Sequence, residues 1–245
     1  MKTNWKVALM CLATIAMVAC GDKNPPEGGG DGPDADYEAP IKVNDQSIAD
    51  WDQLDQAKIS EAVVPATPLY PALKKARVYA DSVCIFYQLE FDPAQMVSHT
   101  DADALHIYIN ADNSDETGGY WDQFAPERKG DVDFMFEVHI WDGEGAVQFA
   151  TNYEYWSGPT NGEGWTWTPN LEVSPKVSSA QFVGGNIIEG RLVLELIPFK
   201  FNNVAFTIGF DIQQNWESVG LLPQANTPNG EQIGRAEKLL VTFDK

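Results

Sequence analysis

Five side chains that can offer oxygen to a cation, Asn110, Asp112, Asn113, Asp115 and Glu116, fall within seven positions, followed by Gly118-Gly119 and the aromatic pair Tyr120-Trp121. That density suits a hard ion, because Ca2+ takes six to eight oxygens at once. The spacing is not that of an EF-hand: counted from Asn110, the sixth position is Asp115 rather than Gly and the twelfth is Trp121 rather than Glu. Asp131 or Asp133, where the next apolar run begins, could complete the shell. The metal set is therefore Asp112, Asn113, Asp115, Glu116 and Asp131, for a structural Ca2+. The alternative is a solvated polar turn.

A second chemistry is sugar recognition, since pyranose rings stack on flat aromatic faces that carry a polar tip. Trp165 and Trp167 stand two apart in a strand-like segment, which puts both on one face. Tyr155 and Trp156 lie close in sequence, and Tyr120, Trp121 and Trp141 would join them from across the fold. Asn152, Asn161, Asn170 and Gln148 could bond sugar hydroxyls. The competing reading is that these rings fill a core or meet a protein partner.

Catalysis has little to build on. There is no GxSxG elbow, no HExxH and no phosphate-cradling glycine loop. A glycosidase pair could hide among 36 acids, because the spacing that matters is spatial, but abundance is no evidence for a pair. The expectation is a protein that is not an enzyme. His99 falls in a loop, and His106 and His139, on the less apolar faces of their strands, read as surface residues.

These residues hang from short strands. Leu105, Ile107 and Ile109 alternate with polar neighbours, as do Val132, Phe134, Phe136, Val138 and Ile140, so the acidic loop joins two half-buried strands. Before them, Ile41-Lys42-Val43 reads as a first strand and Ser47 to Trp51 as a helical turn capped by Ser47. Residues 72–80 and 83–91 form a hairpin turning at Asp81-Ser82, with Val83, Ile85, Tyr87, Leu89 and Phe91 on one face. After it come strands at 146–156, 180–183 and 187–197, a Gly184-Gly185-Asn186 turn, and a last pair, 205–212 and 235–243, flanking a long loop with Trp216. Many short strands with Gly and Asn turns predict an all-β fold, an antiparallel β-sandwich, jelly-roll or immunoglobulin-like in outline, with short helical turns.

The start of the chain supplies an address. Lys2 and Lys6 precede an uncharged apolar run ending Met17-Val18-Ala19-Cys20-Gly21, a secretory leader too short for an ordinary membrane span. The Ala19-Cys20-Gly21 junction resembles a bacterial lipobox, which implies removal of residues 1–19 and acylation of Cys20 by palmitate-type chains. Residues 20–40 are Gly, Pro and acid with little to bury, a flexible tether, and residues 41–245 make a single domain. The acids after Cys20 resemble the export signals of Bacteroides-type surface lipoproteins, which implies the outer membrane.

Loss of the leader leaves 14 basic against 36 acidic side chains, a net charge of −22. A phosphate backbone would be repelled, so nucleic acid is excluded as a partner. Of three cysteines only Cys84 stays unmodified in the body, on an apolar strand, so no disulfide framework is possible and an inert buried thiol is expected.

Against that frame IKVNDQSIADWDQL, KKARVYADSVCIFYQLEFDP, LHIYINADNSDETGGY, RLVLELIPFKF and FTIGFDIQQNW together resemble family-nine carbohydrate-binding modules and their DOMON-like relatives. The resemblance spans most of residues 41–245, with Asn44-Asp45 where the family has Asp-Gly. It implies a β-sandwich that can hold structural calcium and whose relatives bind sugars, haem or nothing known; the lipoprotein address favours a glycan bound without chemistry, among surface glycan-uptake proteins. DOMON-like relatives also hold haem between a His and a Met. Met135 and His139 are about 13 Å apart along one strand and cannot share an iron, which leaves Met96 with His106. The alternative to a glycan binder is a structural or partner-binding surface lipoprotein, and a glycoside-active enzyme is the third reading.

Overall fold

The computed structural model describes residues 37–95, 104–114, 132–139, 153–157, 166–167, 178–197, 200–215, 217–224 and 238–245. All of these belong to the body, Asp31–Lys245. The leader, Cys20, the tether to residue 36, and Met96, His99, Asp115, Glu116, Tyr120, Trp121, Asp131, Trp141, Trp165 and Trp216 lie outside the described residues. No helix among the described residues is long and apolar enough to cross a membrane.

Twelve strands are described: β1 (Ser60–Val63), β2 (Leu73–Ala80), β3 (Cys84–Phe91), β4 (Ala104–Asn110), β5 (Phe134–His139), β6 (Tyr153–Ser157), β7 (Thr166–Trp167), β8 (Ser178–Val183), β9 (Ile187–Val193), β10 (Ala205–Gln214), β11 (Glu217–Leu222) and β12 (Leu239–Thr242). They form a five-stranded sheet, β1-β2-β3-β9-β8, and a seven-stranded sheet, β11-β10-β4-β5-β6-β7 with β12 also on β10. Every pairing is antiparallel. The chain is an all-β antiparallel sandwich.

Period-two alternation drives the packing. Ile85, Tyr87, Leu89 and Phe91 of β3, Leu105, Ile107 and Ile109 of β4, Phe134 and Phe136 of β5, and Phe206, Ile208, Phe210 and Ile212 of β10 share one core between the sheets. Each such side chain contributes roughly 1.5–3 kcal/mol relative to exposure. Gly184 and Gly185, at φ +62° and +81°, make the β8–β9 turn, a backbone region in which a side chain would be strained.

Several elements depart from the alternation. Residues 41–43 are not a strand: Ile41 and Val43 are buried with Trp51, Cys84 and Phe86 in a second cluster, and the Lys42 N–H bonds the Asp50 carboxylate. The helical turn, α1, is Asp50–Gln53 with Ala49 as its cap, and Ser47 instead accepts the Ala49 N–H. β3 is buried on both faces, because Cys84 and Phe86 lie under that N-terminal segment. β1, and β11 within the expected long loop, add two strands, and the last strand shortens to Leu239–Thr242.

The N-terminal segment is fixed by polar bonds as well. Trp51 Nε1 donates to Glu189 at 2.7 Å, Gln181 Nε2 donates to the other Glu189 oxygen at 2.6 Å, and the Gln46 amide N–H groups reach Gln181 Oε1. Arg77 lies over the Trp51 ring at 5.2 Å. Cys84 is buried and forms no disulfide.

Candidate functional site

The outer face of the seven-stranded sheet gathers the polar groups that this fold has least reason to bury. Along β10, Phe206, Ile208, Phe210 and Ile212 point into the core, so the alternation sends Asp211 and Gln213 to the other side. On β4 the same rule sends His106 and Tyr108 there. That face is nevertheless covered: Asp211 has no exposed surface, and His106, Tyr108 and Gln213 are buried. Tyr108, Val132, Met135 and Leu221 form an apolar cluster on it, with Tyr70 against them.

Asp211 is the centre of the polar set. Its Oδ2 accepts from Gln213 Nε2 at 2.7 Å and from Ser218 Oγ at 2.8 Å, while its Oδ1 accepts no hydrogen bond from a described residue. Burial pushes its carboxyl up to about 6, opposed by the charge of His106 and by the two hydrogen bonds. His106 Nδ1 is 3.1 Å from the Tyr108 hydroxyl. Tyr70 is raised above the ordinary tyrosine value, first by burial and then by the charge of Asp211. Gln224 positions Tyr70, accepting the Leu69 and Tyr70 N–H groups and donating to the Tyr70 carbonyl.

The register extends this set across the sheet. One row runs Asp211, His106, Glu137, Glu154 through β10, β4, β5 and β6. The adjacent row on the same face runs Gly209, Tyr108, Met135, Trp156, Trp167 through to β7. Trp156 and Trp167 are thus direct cross-strand partners, while Tyr155 falls on the row of Phe136, Ile107 and Phe210, the core row. Tyr120, Trp121, Trp141 and Trp165 lie outside the described residues.

His106 is a correction. It is 5% exposed rather than a surface residue, because the outer face of its sheet is covered. Asp211, Gln213, Ser218, Tyr70 and Gln224 were not among the residues singled out in the sequence, although a carboxylate between Phe210 and Ile212 inside an apolar strand is a legible signal for the first of them.

The described part of the acidic loop closes on its own backbone. Asp112 Oδ1 and Asn110 Oδ1 both accept the Ser114 N–H, at 2.9 and 3.2 Å, and Asn110 Nδ2 donates to the Ser114 carbonyl. Asn113 takes a left-handed φ of +57°. Asp133 Oδ2 accepts the Ala111 N–H at 2.7 Å and the Asp112 N–H at 3.3 Å, and burial raises its carboxyl above the ordinary range. Asn110 therefore spends its oxygen on the turn. Asp115, Glu116 and Asp131 of the expected metal set lie outside the described residues.

No protein-family model matches the chain, and no curated protein matches it. Among solved structures, a carbohydrate-binding module of family 9 from Caldicellulosiruptor kristjanssonii in complex with cellotriose is similar at 13% identity and a TM-score of 0.41, over 84% of this chain and 90% of that one. The same kind of module from that organism in complex with glucose is similar at 13% identity and a TM-score of 0.40, over 85% and 93%.

Proposed function

We propose that the chain is an outer-membrane lipoprotein, anchored through Cys20 and facing outward, whose β-sandwich binds a glycan without acting on it. The observation that supports the reading is register at the far end of the seven-stranded sheet, where Trp156 of β6 and Trp167 of β7 are direct cross-strand partners. Sugar recognition needs an aromatic surface for the ring and polar groups for the hydroxyls. Trp165, Tyr120, Trp121 and Trp141 extend the aromatic surface in this reading, and the partners are a polysaccharide and other surface glycan-uptake proteins. A Ca2+ in the loop from Asp112 to Asp131 stiffens the β4–β5 connection.

Affinity electrophoresis through a panel of polysaccharides tests it. The expected outcome is retardation by at least one glycan with no product formed, lost in Trp156→Ala and Trp167→Ala variants that keep the wild-type circular dichroism. Absence of retardation on every glycan sinks the reading, and turnover replaces it with an enzyme. For the calcium, thermal unfolding is followed with EDTA and with excess Ca2+; a lower midpoint in EDTA is expected, and identical midpoints refute the ion.

A structural or partner-binding lipoprotein is the second reading, favoured by the burial of Tyr108 and Met135, at 1% and 6% exposed. It predicts no retardation, together with capture of another outer-membrane protein by the intact chain.

A further inference from the structure

We propose that Asp211 and Thr207 of β10 hold the ligand on the outer face of the seven-stranded sheet, Asp211 Oδ1 accepting from one saccharide hydroxyl and Thr207 Oγ1 bonding another. These contacts rest on the glycan reading and add to it the polar groups that the Trp156–Trp167 register does not supply.

Alternation places both residues. Phe206, Ile208, Phe210 and Ile212 enter the core, so Thr207, Gly209, Asp211 and Gln213 take the outer face of β10. Thr207 and Asp211 are about 13 Å apart along the strand, so one hydroxyl cannot meet both. Gly209 stands midway and has no side chain. Across the sheet it heads the register row Tyr108, Met135, Trp156, Trp167. At about 4.8 Å per strand, β6 lies about 14 Å from β10. A ligand that touches both the tryptophans and this strip is therefore an oligosaccharide rather than a single ring.

Neither group is used by the fold. Asp211 is completely buried, yet its Oδ1 has no hydrogen-bond partner among the described residues, and the buried Thr207 Oγ1 has none either. Gln213 Nε2 and Ser218 Oγ both donate to the other Asp211 oxygen, at 2.7 and 2.8 Å, which fixes the carboxylate plane. The register sets His106 and Leu221 beside Asp211, and Asn110 and Leu240 beside Thr207. The charge of His106 reaches Asp211 but gives Oδ1 no hydrogen bond. Asn110 uses both ends of its amide on Ser114. A buried polar atom without a partner lowers stability, and two of them on one strand face are kept for something other than folding.

Access to Asp211 needs part of the cover to move, and Leu69-Tyr70 is a part that can. Tyr70 packs on the apolar cluster of Tyr108, Val132, Met135 and Leu221, near enough for the Asp211 charge to act on its hydroxyl. The two residues belong to no strand and follow Pro65 and Pro68. Gln224 holds them, its Oε1 accepting both N–H groups at 2.6 and 3.1 Å and its Nε2 donating to the Tyr70 carbonyl. Swinging Tyr70 away breaks these side-chain bonds and leaves the ladders of β10 intact. The burial of Tyr108 and Met135 is then the closed form of the site.

The test uses the intact chain in affinity electrophoresis through hydroxyethylcellulose, xyloglucan, galactomannan and starch, with thermal midpoints measured alongside. Asp211→Asn keeps a carbonyl oxygen for Gln213 and Ser218 and puts an amide donor where Oδ1 was, while Thr207→Val removes the hydroxyl and keeps the shape. Both variants are expected to unfold at or above the wild-type midpoint and to bind the retarding polysaccharide at least about tenfold more weakly. Each residue stands or falls by its own variant. Retardation that survives the change overturns the contact and leaves the glycan reading standing. A lower midpoint shows that the group serves the fold, which overturns it as well. No retardation of the wild type by any of the four removes the glycan reading and these contacts with it. Gln224→Ala, which frees Tyr70, is expected to bind at least as tightly as the wild type, because the closed form loses its hold. Weaker binding there would place Tyr70 in the bound state and overturn its role as a cover.

Discussion

Glu189 shows how a buried carboxylate can serve structure alone. Each of its oxygens accepts one bond, from Trp51 Nε1 and from Gln181 Nε2, and the side chain is fully buried. Burial raises its carboxyl above the ordinary 4.5, with the two hydrogen bonds opposing. The folded chain thus holds this proton more tightly than the unfolded one. Its contribution to stability is complete below 4.5 and is lost as pH rises through the folded value. In Glu189→Gln one amide N–H faces a donor, at a cost of about 1–3 kcal/mol. Denaturant unfolding of both proteins between acid and neutral pH checks the sign: the stability of the wild type relative to the variant should decline as pH rises through that window, then level off. A difference that grows with pH would contradict the assignment. Asp211 differs: Gln213 of its own strand and Ser218 of β11 both bond Oδ2, and Oδ1 has no partner among the described residues. The alternation of AFTIGFDIQQ says which face Asp211 takes, but not that the face is covered, and cover comes from parts of the chain remote in sequence such as Leu69-Tyr70 and Gln224.

At the scale of elements, legibility followed length and alternation. β2, β3, β4, β9 and β10 carry long apolar periods and were read to within a few residues. β1 buries only Ala62, and β11 opens on Glu217-Ser218, so neither offers a period to detect. Ile41 and Val43 misled in the other direction: burial against Trp51 needs apolar side chains at that spacing but no ladder. The partnership of Trp156 with Trp167 is a property of register, which sequence spacing does not encode. One element-level contact is sharp enough to test. Gly190 in β9 stands opposite Tyr87 of β3, and a Cβ there would lie 2.3 Å from Cζ and Oη of that ring. Gly190→Ala should cost about 1–3 kcal/mol by overpacking. For a domain of this size the midpoint falls by about 2–4 °C per kcal/mol, read by thermal circular dichroism. A second change, Tyr87→Leu, should return part of the loss, and an unaltered midpoint in Gly190→Ala would show that the ring moves freely.

For the whole molecule, the two outer faces are dressed differently. The five-stranded sheet is covered by residues 39–54, packed over Tyr79, Cys84 and Phe86 and held by Trp51. That cover predicts a local opening distinct from global unfolding. Trp51→Ala, at about 3–5 kcal/mol, should expose Cys84 to a thiol reagent in native buffer. Phe210→Ala, a comparable loss from the core between the sheets, should leave Cys84 protected until the chain unfolds. Mass-spectrometric labelling of the Cys84 peptide, compared at matched global stability, separates the two. Equal labelling would mean that residues 39–54 do not open on their own.

The same cover has a mechanical meaning. The Tyr37 hydroxyl bonds Asp81 at 2.7 Å, Gln46 bonds Gln181, and Trp51 bonds Glu189, so these anchors of the segment all engage the five-stranded sheet or its turn. A pull applied at residue 37 would load these contacts one after another, beginning with Tyr37. Strain would be taken up by side-chain bonds before it reached a strand ladder. The seven-stranded sheet, with Asp211 and the Trp156–Trp167 register, makes none of these three contacts, so a pull at residue 37 meets the five-stranded sheet first.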